Sequence, residues 1–234
     1  MKPWLTLWLL ATLAIAGFVS LGRWQLDRAI EKQQMLDAVA AALRDRQPQP
    51  LALVPEQAGT GYAWVSSLGT FAPSPALLLD NQRRGDAVGV EVFGVFKPLE
   101  GPALLVDLGW LALPGDRALP DIDLPSGQQR LAGMLSPPPA SGIALGPAYV
   151  ASDARRWLLT RIDIDALSAG LNTRLAHRVL RLDPKLPLGY ARDLNILPNT
   201  LPPERHRGYA VQWFGLAAAT FVFALTLSLR RRHS

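Results

Sequence analysis

The chain has 234 residues, no cysteine, three histidines and a formal net charge of +5. Without cysteine there is no disulfide, no thiolate metal site and no catalytic thiol. The basic excess does not describe a nucleic-acid surface, because all the acids lie between Asp27 and Glu204 while Lys2 and Arg230 to Arg232 sit at the ends, leaving the middle close to neutral.

Trp4 to Leu21 is an uncharged apolar run of 18 residues, long enough for a membrane helix. Ala14-Ile15-Ala16 has the form of a signal-peptide cleavage site, but the apolar run continues past it to Leu21, which favours an uncleaved anchor. Thr12, Ala16 and Ser20 recur every fourth position, as do Gly215 and Ala219 near the other end, a spacing that lets helices approach closely. Beyond Gly22, the pattern Arg28/Lys32 with Leu36, Val39 and Leu43 predicts that the helix leaves the membrane and continues to about Arg46. Gln47-Pro48-Gln49-Pro50 ends it.

From Tyr62 the period changes to that of strands. Tyr62–Phe71, Ala76–Asp80, Gly89–Lys97, Ala103–Leu111, Gln129–Leu135, Arg156–Ile162 and Leu175–Leu182 are short runs rich in Val, Leu and aromatics. Asn81 to Gly85 and Leu99-Glu100-Gly101-Pro102 read as hairpin turns. A short helix is expected over Ala166 to Leu171, with Asp165 as the capping residue and Ser168 following at the third helical position. The segments Pro137–Pro147 and Leu186–Pro203 read as proline-rich spacers or lids.

Gly208 to Leu229 is a second uncharged stretch, of 22 residues, closed by Arg230-Arg231-Arg232. A charge costs about 2.5–3.5 kcal/mol at mid-membrane and little at the surface, so the three arginines act as a stop. The positive-inside rule then puts both termini in the cytoplasm. The expected layout is a cytoplasmic N-terminus at 1–3, a span at 4–22, an external domain at 23–207 with an N-terminal helix 23–46, a span at 208–229, and a basic cytoplasmic tail at 230–234. The fold class is a membrane protein, with two transmembrane α-helices bracketing a mainly β (α+β) extracytoplasmic domain. At the mouth of the second span, helical spacing puts His206, Tyr209/Ala210 and Trp213 on one face. Trp24 stands at the matching end of the first span. An aromatic belt at the lipid surface is the simpler explanation of these aromatics taken alone.

No catalytic constellation stands out. Asp121/Asp123 and Asp163/Asp165 are carboxylate pairs with the spacing of one strand face, a possible basis for an anchored hydrolase, but turns and helix caps use aspartate in the same way. There is no Gly-rich phosphate loop, nucleophile elbow or paired-histidine metal motif. Of the histidines, His177 falls on an expected strand and His233 in the cytoplasmic tail. His206 lies at the mouth of the second span. A three-histidine metal site on one side of the membrane is therefore excluded, whereas a single axial imidazole to a haem stays open, because haem needs one nitrogen and an apolar pocket.

Four blocks occur in order: Leu21-Gly22-Arg23-Trp24-Gln25-Leu26-x-Arg28 with Lys32, Leu78-Leu79-Asp80-Asn81, Leu104-Leu105-Val106-Asp107-x-Gly109-Trp110, and His206-x-x-Tyr209-Ala210-x-Gln212-Trp213-Phe214-Gly215. Together they resemble the Surfeit-locus-one family, the assembly factors of haem–copper cytochrome oxidase. Leu108 stands where the family often has arginine, Leu111-Ala112-Leu113-Pro114 replaces a valine-proline step, and Arg207 takes an apolar position.

The resemblance implies an assembly factor, not an enzyme, that assists insertion of haem a into the aa3-type oxidase or stabilises its subunit I. A scaffold that touches no haem is the alternative. It also implies His206 as the residue that meets haem iron, with Trp24, Tyr209 and Trp213 as pocket walls and Arg207 or Arg205 beside a propionate. Oxidase subunit I, the haem a synthesis machinery and the lipid bilayer are the implied partners. The implied location is the cell inner membrane, multi-pass with a periplasmic main domain, or the mitochondrial inner membrane in a eukaryote.

Overall fold

The computed structural model describes residues 3–54, 61–139, 146–196 and 201–230. Lys2, Arg231, Arg232 and His233, on which the charge argument for the termini partly rests, lie outside the described residues, as do parts of the two proline-rich loops. The chain divides into two compact units, Met1–Asp37 with Thr200–Ser234, and Ala38–Asn199.

The first unit is a pair of helices, most of helix α1 (Pro3–Asp45) and all of α3 (Pro203–Arg230). In α1 the side facing α3 carries Ala11, Gly22, Ala29 and Lys32 fully buried, with Ile15, Phe18 and Gln25 half-buried between them. On α3 the buried residues are Pro203, His206, Ala210, Ala217 and Ala224. The α1 stripe alternates steps of four and three and the α3 stripe runs in steps of three, four and twice seven, in both the spacing of about 3.5 residues that keeps one seam of a supercoiled helix pair against its partner.

The cross-contacts run in antiparallel order along this seam. Trp8 Nε1 donates to Ser228 Oγ at 2.8 Å, Phe18 stacks on Trp213 with ring centres 5.8 Å apart, and Lys32 Nζ donates to the Leu201 carbonyl. Gly22 is required where it stands: a Cβ there would lie 2.6 Å from the Phe214 ring. The expectation that Thr12, Ala16, Ser20, Gly215 and Ala219 mediate close approach is corrected, since all five are exposed. The alanines and Gly22 of the 3.5-residue stripe do that work, because a four-residue step drifts off the seam over successive turns.

The most apolar windows of α1 and α3 are only 11% and 17% buried. Core helices of a soluble domain bury their apolar faces, whereas these leave Leu9, Leu10, Leu13, Val211, Val222 and Phe223 more than half exposed. By length and composition both helices are able to cross a membrane.

The second unit begins with the last turns of α1, which end at Asp45 ahead of the expected Gln-Pro-Gln-Pro stop. Its sheet contains β1 (Gln49–Pro50), β2 (Ala63–Phe71), β3 (Ala76–Arg84), β4 (Ala87–Pro98), β5 (Ala103–Ala112), β6 (Gln128–Ser136), β7 (Tyr149–Ala151), β8 (Arg156–Leu159) and β9 (Leu175–Leu182). The order is β1-β2-β6-β9-β5-β4-β3-β8-β7, and the end of β4 also pairs with the end of β2 through Phe71–Phe96 and Gly69–Pro98. That extra pairing closes β2, β6, β9, β5 and β4 into a ring. Closure removes the exposed edges that an open sheet would leave on those strands.

Val65, Val92, Phe96, Leu104, Val106, Leu131, Leu135 and Leu180 fill the ring. Alternate residues Leu77, Phe93, Val95, Leu105 and Val179 point to the other face, where α2 (Ile164–Gly170) covers them with Ile164 and Leu167. Burying each such Leu or Phe contributes about 1.5–3 kcal/mol. A smaller cluster holds the end of α1 by Val39 and Leu43 to Trp64 and Met134.

Two local expectations are corrected. The β3–β4 turn is Gly85-Asp86 alone, with Arg84 opposite Ala87, and Gly85 supplies the positive φ of +61° that a tight hairpin needs. Asn81 instead sits in a bulge within β3 at φ +57°, a left-handed conformation that asparagine tolerates. The cap of α2 is Asp163, whose carboxylate accepts from Ala166 N at 3.1 Å, and Asp165 lies inside the first turn.

Candidate functional site

The polar centre of the helix pair is built around His206. It lies one turn into α3 on the seam, 7% exposed, and its Nδ1 is 2.6 Å from Gln25 Oε1 of α1. With its amide oxygen turned to the ring Gln25 accepts, and the tautomer that satisfies this contact has its proton on Nδ1 and its lone pair on Nε2. Nε2 is itself buried and makes no hydrogen bond to the protein. Burial pushes the His206 pKa below its ordinary value, and the Lys32 and Arg28 charges push it the same way, so the ring is neutral near pH 7.

Lys32, seven residues after Gln25 and 6% exposed, is the buried cation of the cluster. Desolvation lowers its pKa first, Arg28 lowers it further, and Glu31 opposes both. Its ammonium is held by the Leu201 carbonyl, and Arg28 closes an exposed ion pair with Glu31 at 2.6 Å.

Of the expected site residues, His206 and Trp213 share the buried seam. Trp213 is stacked on Phe18, whereas Trp24 is 57% exposed, Tyr209 is 39% exposed and Arg207 is exposed. Among the described residues, no ring contact joins Trp24, Tyr209 and Trp213. Gln25 and Lys32 stand in the first sequence block, but a lone glutamine on a helix carries no chemical signal. The 3.5-residue stripe through Phe18, Gln25 and Lys32 was the pattern that placed them opposite α3.

The remaining polar clusters have structural uses. Asp121 and Asp123 lie in a loop, not on a strand, and pair with Arg156 at 3.3 Å and Arg155 at 3.1 Å. Asp163 caps α2, and Asp165 meets His177 of β9 at 3.3 Å with both side chains well exposed. These engagements leave neither aspartate pair arranged as an acid and a base. Among the described residues no group of three His, Cys, Asp or Glu side chains converges for a metal ion.

The block Asp107-Leu108-Gly109-Trp110 folds as a bulge in β5. Asp107 Oδ1 accepts from Gly109 N at 3.0 Å, Gly109 takes φ +109°, and Tyr190 N and Trp110 N donate to the Leu108 and Ala191 carbonyls. A Cβ on Gly109 would lie 2.8 Å from the Tyr190 carbonyl oxygen. Next to it, Glu91 of β4 hydrogen-bonds Asp107 through a shared proton. Desolvation first, then the Asp107 charge and that hydrogen bond, push the Glu91 pKa to about 9, while Arg181 partly offsets them.

A haem iron needs a neutral imidazole whose free nitrogen is unprotonated and unshared, with the other nitrogen held by an acceptor. His206 meets these requirements through Gln25. The exposed Trp24, Tyr209 and Arg207 do not form a pocket wall around it as the structure stands.

The SURF1 family model matches residues 12–218, a range that takes in the whole sheet, most of α1 and the first half of α3. A SURF1-like protein of Rickettsia conorii is 26% identical over 228 residues, covering 92% of this chain and 87% of the relative.

Proposed function

Because the chain belongs to the SURF1 family, whose members are assembly factors of cytochrome oxidase, we propose that it assists insertion of haem a into subunit I of the aa3-type enzyme and holds the haem through His206. The observation that carries this reading is the buried Nε2 of His206, which has no hydrogen-bond partner in the protein. Haem a held there would supply an iron centre and two carboxylates. His206 Nε2 is the nitrogen for the iron, and Arg207, Arg28 and Lys32 are the cations within the same helix pair for the carboxylates. Trp213 and Phe18 offer an apolar stacked pair about two helical turns along the seam from the imidazole, and Trp24 and Tyr209 are exposed rings able to cover a ligand entering from the lipid side.

The chain works without turnover of its own in this reading. Its partners are oxidase subunit I and the machinery that makes haem a, and both helices span the inner membrane with the sheet domain on the periplasmic side. The apolar, exposed flanks of α1 and α3 and the basic chain ends support that placement. A scaffold that binds subunit I without haem is the second reading, favoured by the exposure of Trp24 and Tyr209. Absorbance spectra of the detergent-purified full chain with haem a decide between them. Binding is expected in the wild type and in His177→Ala and is lost in His206→Ala. An unchanged spectrum in His206→Ala overturns the assignment of the ligand.

A further inference from the structure

Which nitrogen of a neutral histidine carries the proton is set by the hydrogen bond that the other nitrogen, or its own N–H, makes. Here the choice is made from the opposite helix. Gln25 Oε1 lies 2.6 Å from His206 Nδ1, and the acceptor has no proton to give. Gln25 is placed by the same stripe that seats Phe18 and Lys32, seven residues to either side, so its reach toward His206 is fixed by helix packing. His206 Nε2, in contrast, is buried and has no protein partner. A buried polar atom without a partner costs about 1–3 kcal/mol, and a protonated Nε2 in this setting would add an unmet donor to a ring whose Nδ1 then faced Gln25 Oε1 lone pair to lone pair.

We propose that Gln25 is a positioning residue: it holds His206 in the tautomer with the proton on Nδ1 and so reserves the Nε2 lone pair for an incoming metal centre. The tautomer part stands on the apo geometry alone, and only its consequence for ligand affinity rests on the haem reading above. A ligand approaching Nε2 then finds a lone pair already in place and has no proton to displace. Gln25→Glu keeps an oxygen acceptor at the same reach. Gln25→Leu keeps the volume and removes the acceptor, freeing the ring to protonate on Nε2.

The test uses the full-length chain in detergent micelles with nitrogen-15 in its histidines, of which there are three, His206→Ala identifying the signals of interest. The wild type and Gln25→Glu are expected to show His206 protonated on Nδ1, and Gln25→Leu to lose that form. In parallel titrations with ferric haem a, Gln25→Leu is expected to bind about 10–100-fold more weakly than the wild type, and Gln25→Glu to recover most of that loss. A wild-type His206 protonated on Nε2 overturns the inference, and because this reading needs no variant it holds even if Gln25→Leu fails to fold. An unchanged Nδ1–H form in Gln25→Leu overturns it too. If the Nδ1–H form depends on Gln25 but no protein binds haem a, the positioning role of Gln25 stands and the haem reading fails.

Discussion

Replacing Glu91 by glutamine tests the physical account of the sheet domain at its most unusual point. Glu91 faces Asp107 across β4 and β5, with Arg181, Arg192 and Asp193 as the other charged groups nearby, and its pKa is pushed up to about 9. The folded chain therefore keeps the Glu91 proton at pH 8, while the unfolded chain, titrating near 4.5, has released it. A group whose folded pKa is raised makes stability fall as pH rises between the two values, here from about 4.5 to about 9. Each pH unit over which the Glu91–Asp107 pair holds the extra proton costs the folded chain about 1.4 kcal/mol, so the wild type loses stability progressively as pH rises through this range. Glutamine carries a permanent donor of the same shape, so Asp107 keeps its hydrogen bond without any pH cost. The variant should match the wild type near pH 4.5 and gain stability steadily above it. Denaturant unfolding of the full chain in detergent, followed by the fluorescence of Trp64, Trp110 and Trp157 from pH 5 to 9, reads the difference. A Glu91→Gln protein less stable than the wild type at pH 8 would show an ionised Glu91 paired with Arg181, and would refute the argument.

Gly109→Ala should destabilise the sheet domain by about 1–3 kcal/mol in the same unfolding assay, since φ +109° strains any side chain and the new methyl meets the Tyr190 carbonyl. Asp163→Ala should cost about 1 kcal/mol through loss of the α2 cap, with Asp163→Asn recovering most of it. Trp8→Phe should weaken the helix pair by about 0.6 kcal/mol, the usual worth of one hydrogen bond between membrane helices, measured by reversible unfolding in mixed micelles. Acidification from about pH 6.5 downward should loosen the same pair. The His206 pKa is lowered on folding, so its stabilising contribution is present above the unfolded value and is lost as pH falls through the folded one, and His206→Gln should flatten that dependence.

Strands were legible where side chains alternate between two cores: β4 and β5 send Val92 and Val106 into the ring and Val95 and Leu105 to the α2 face, and both runs stand out in the sequence. β1 and β7 were not legible, because two or three residues show no period and one of them is Pro50. Closure of the ring through Phe71 and Phe96 is a tertiary pairing that no local pattern announces. Asn81 has the composition of a turn, yet the turn needed only Gly85 and Asp86, and the asparagine's tolerance of positive φ went into a bulge. At the candidate site His206 was legible through the last of the four sequence blocks and the family they resemble, not through its own chemistry. Its partner was not, since the hydrogen bond to Gln25 joins residues 181 positions apart and depends on helix register. Helical spacing and sequence blocks group the aromatic residues near it, but the seam admits Trp213 and leaves Trp24 and Tyr209 outside.

The most direct test of the account is the haem a content of assembled cytochrome oxidase in membranes of a strain lacking this chain, measured from reduced-minus-oxidised spectra alongside the amount of subunit I polypeptide. The account predicts a loss of the haem a signal with subunit I still synthesised, restored by the wild-type chain and by His177→Ala but not by His206→Ala. A normal haem a signal in the deletion strain, or full restoration by His206→Ala, would contradict it.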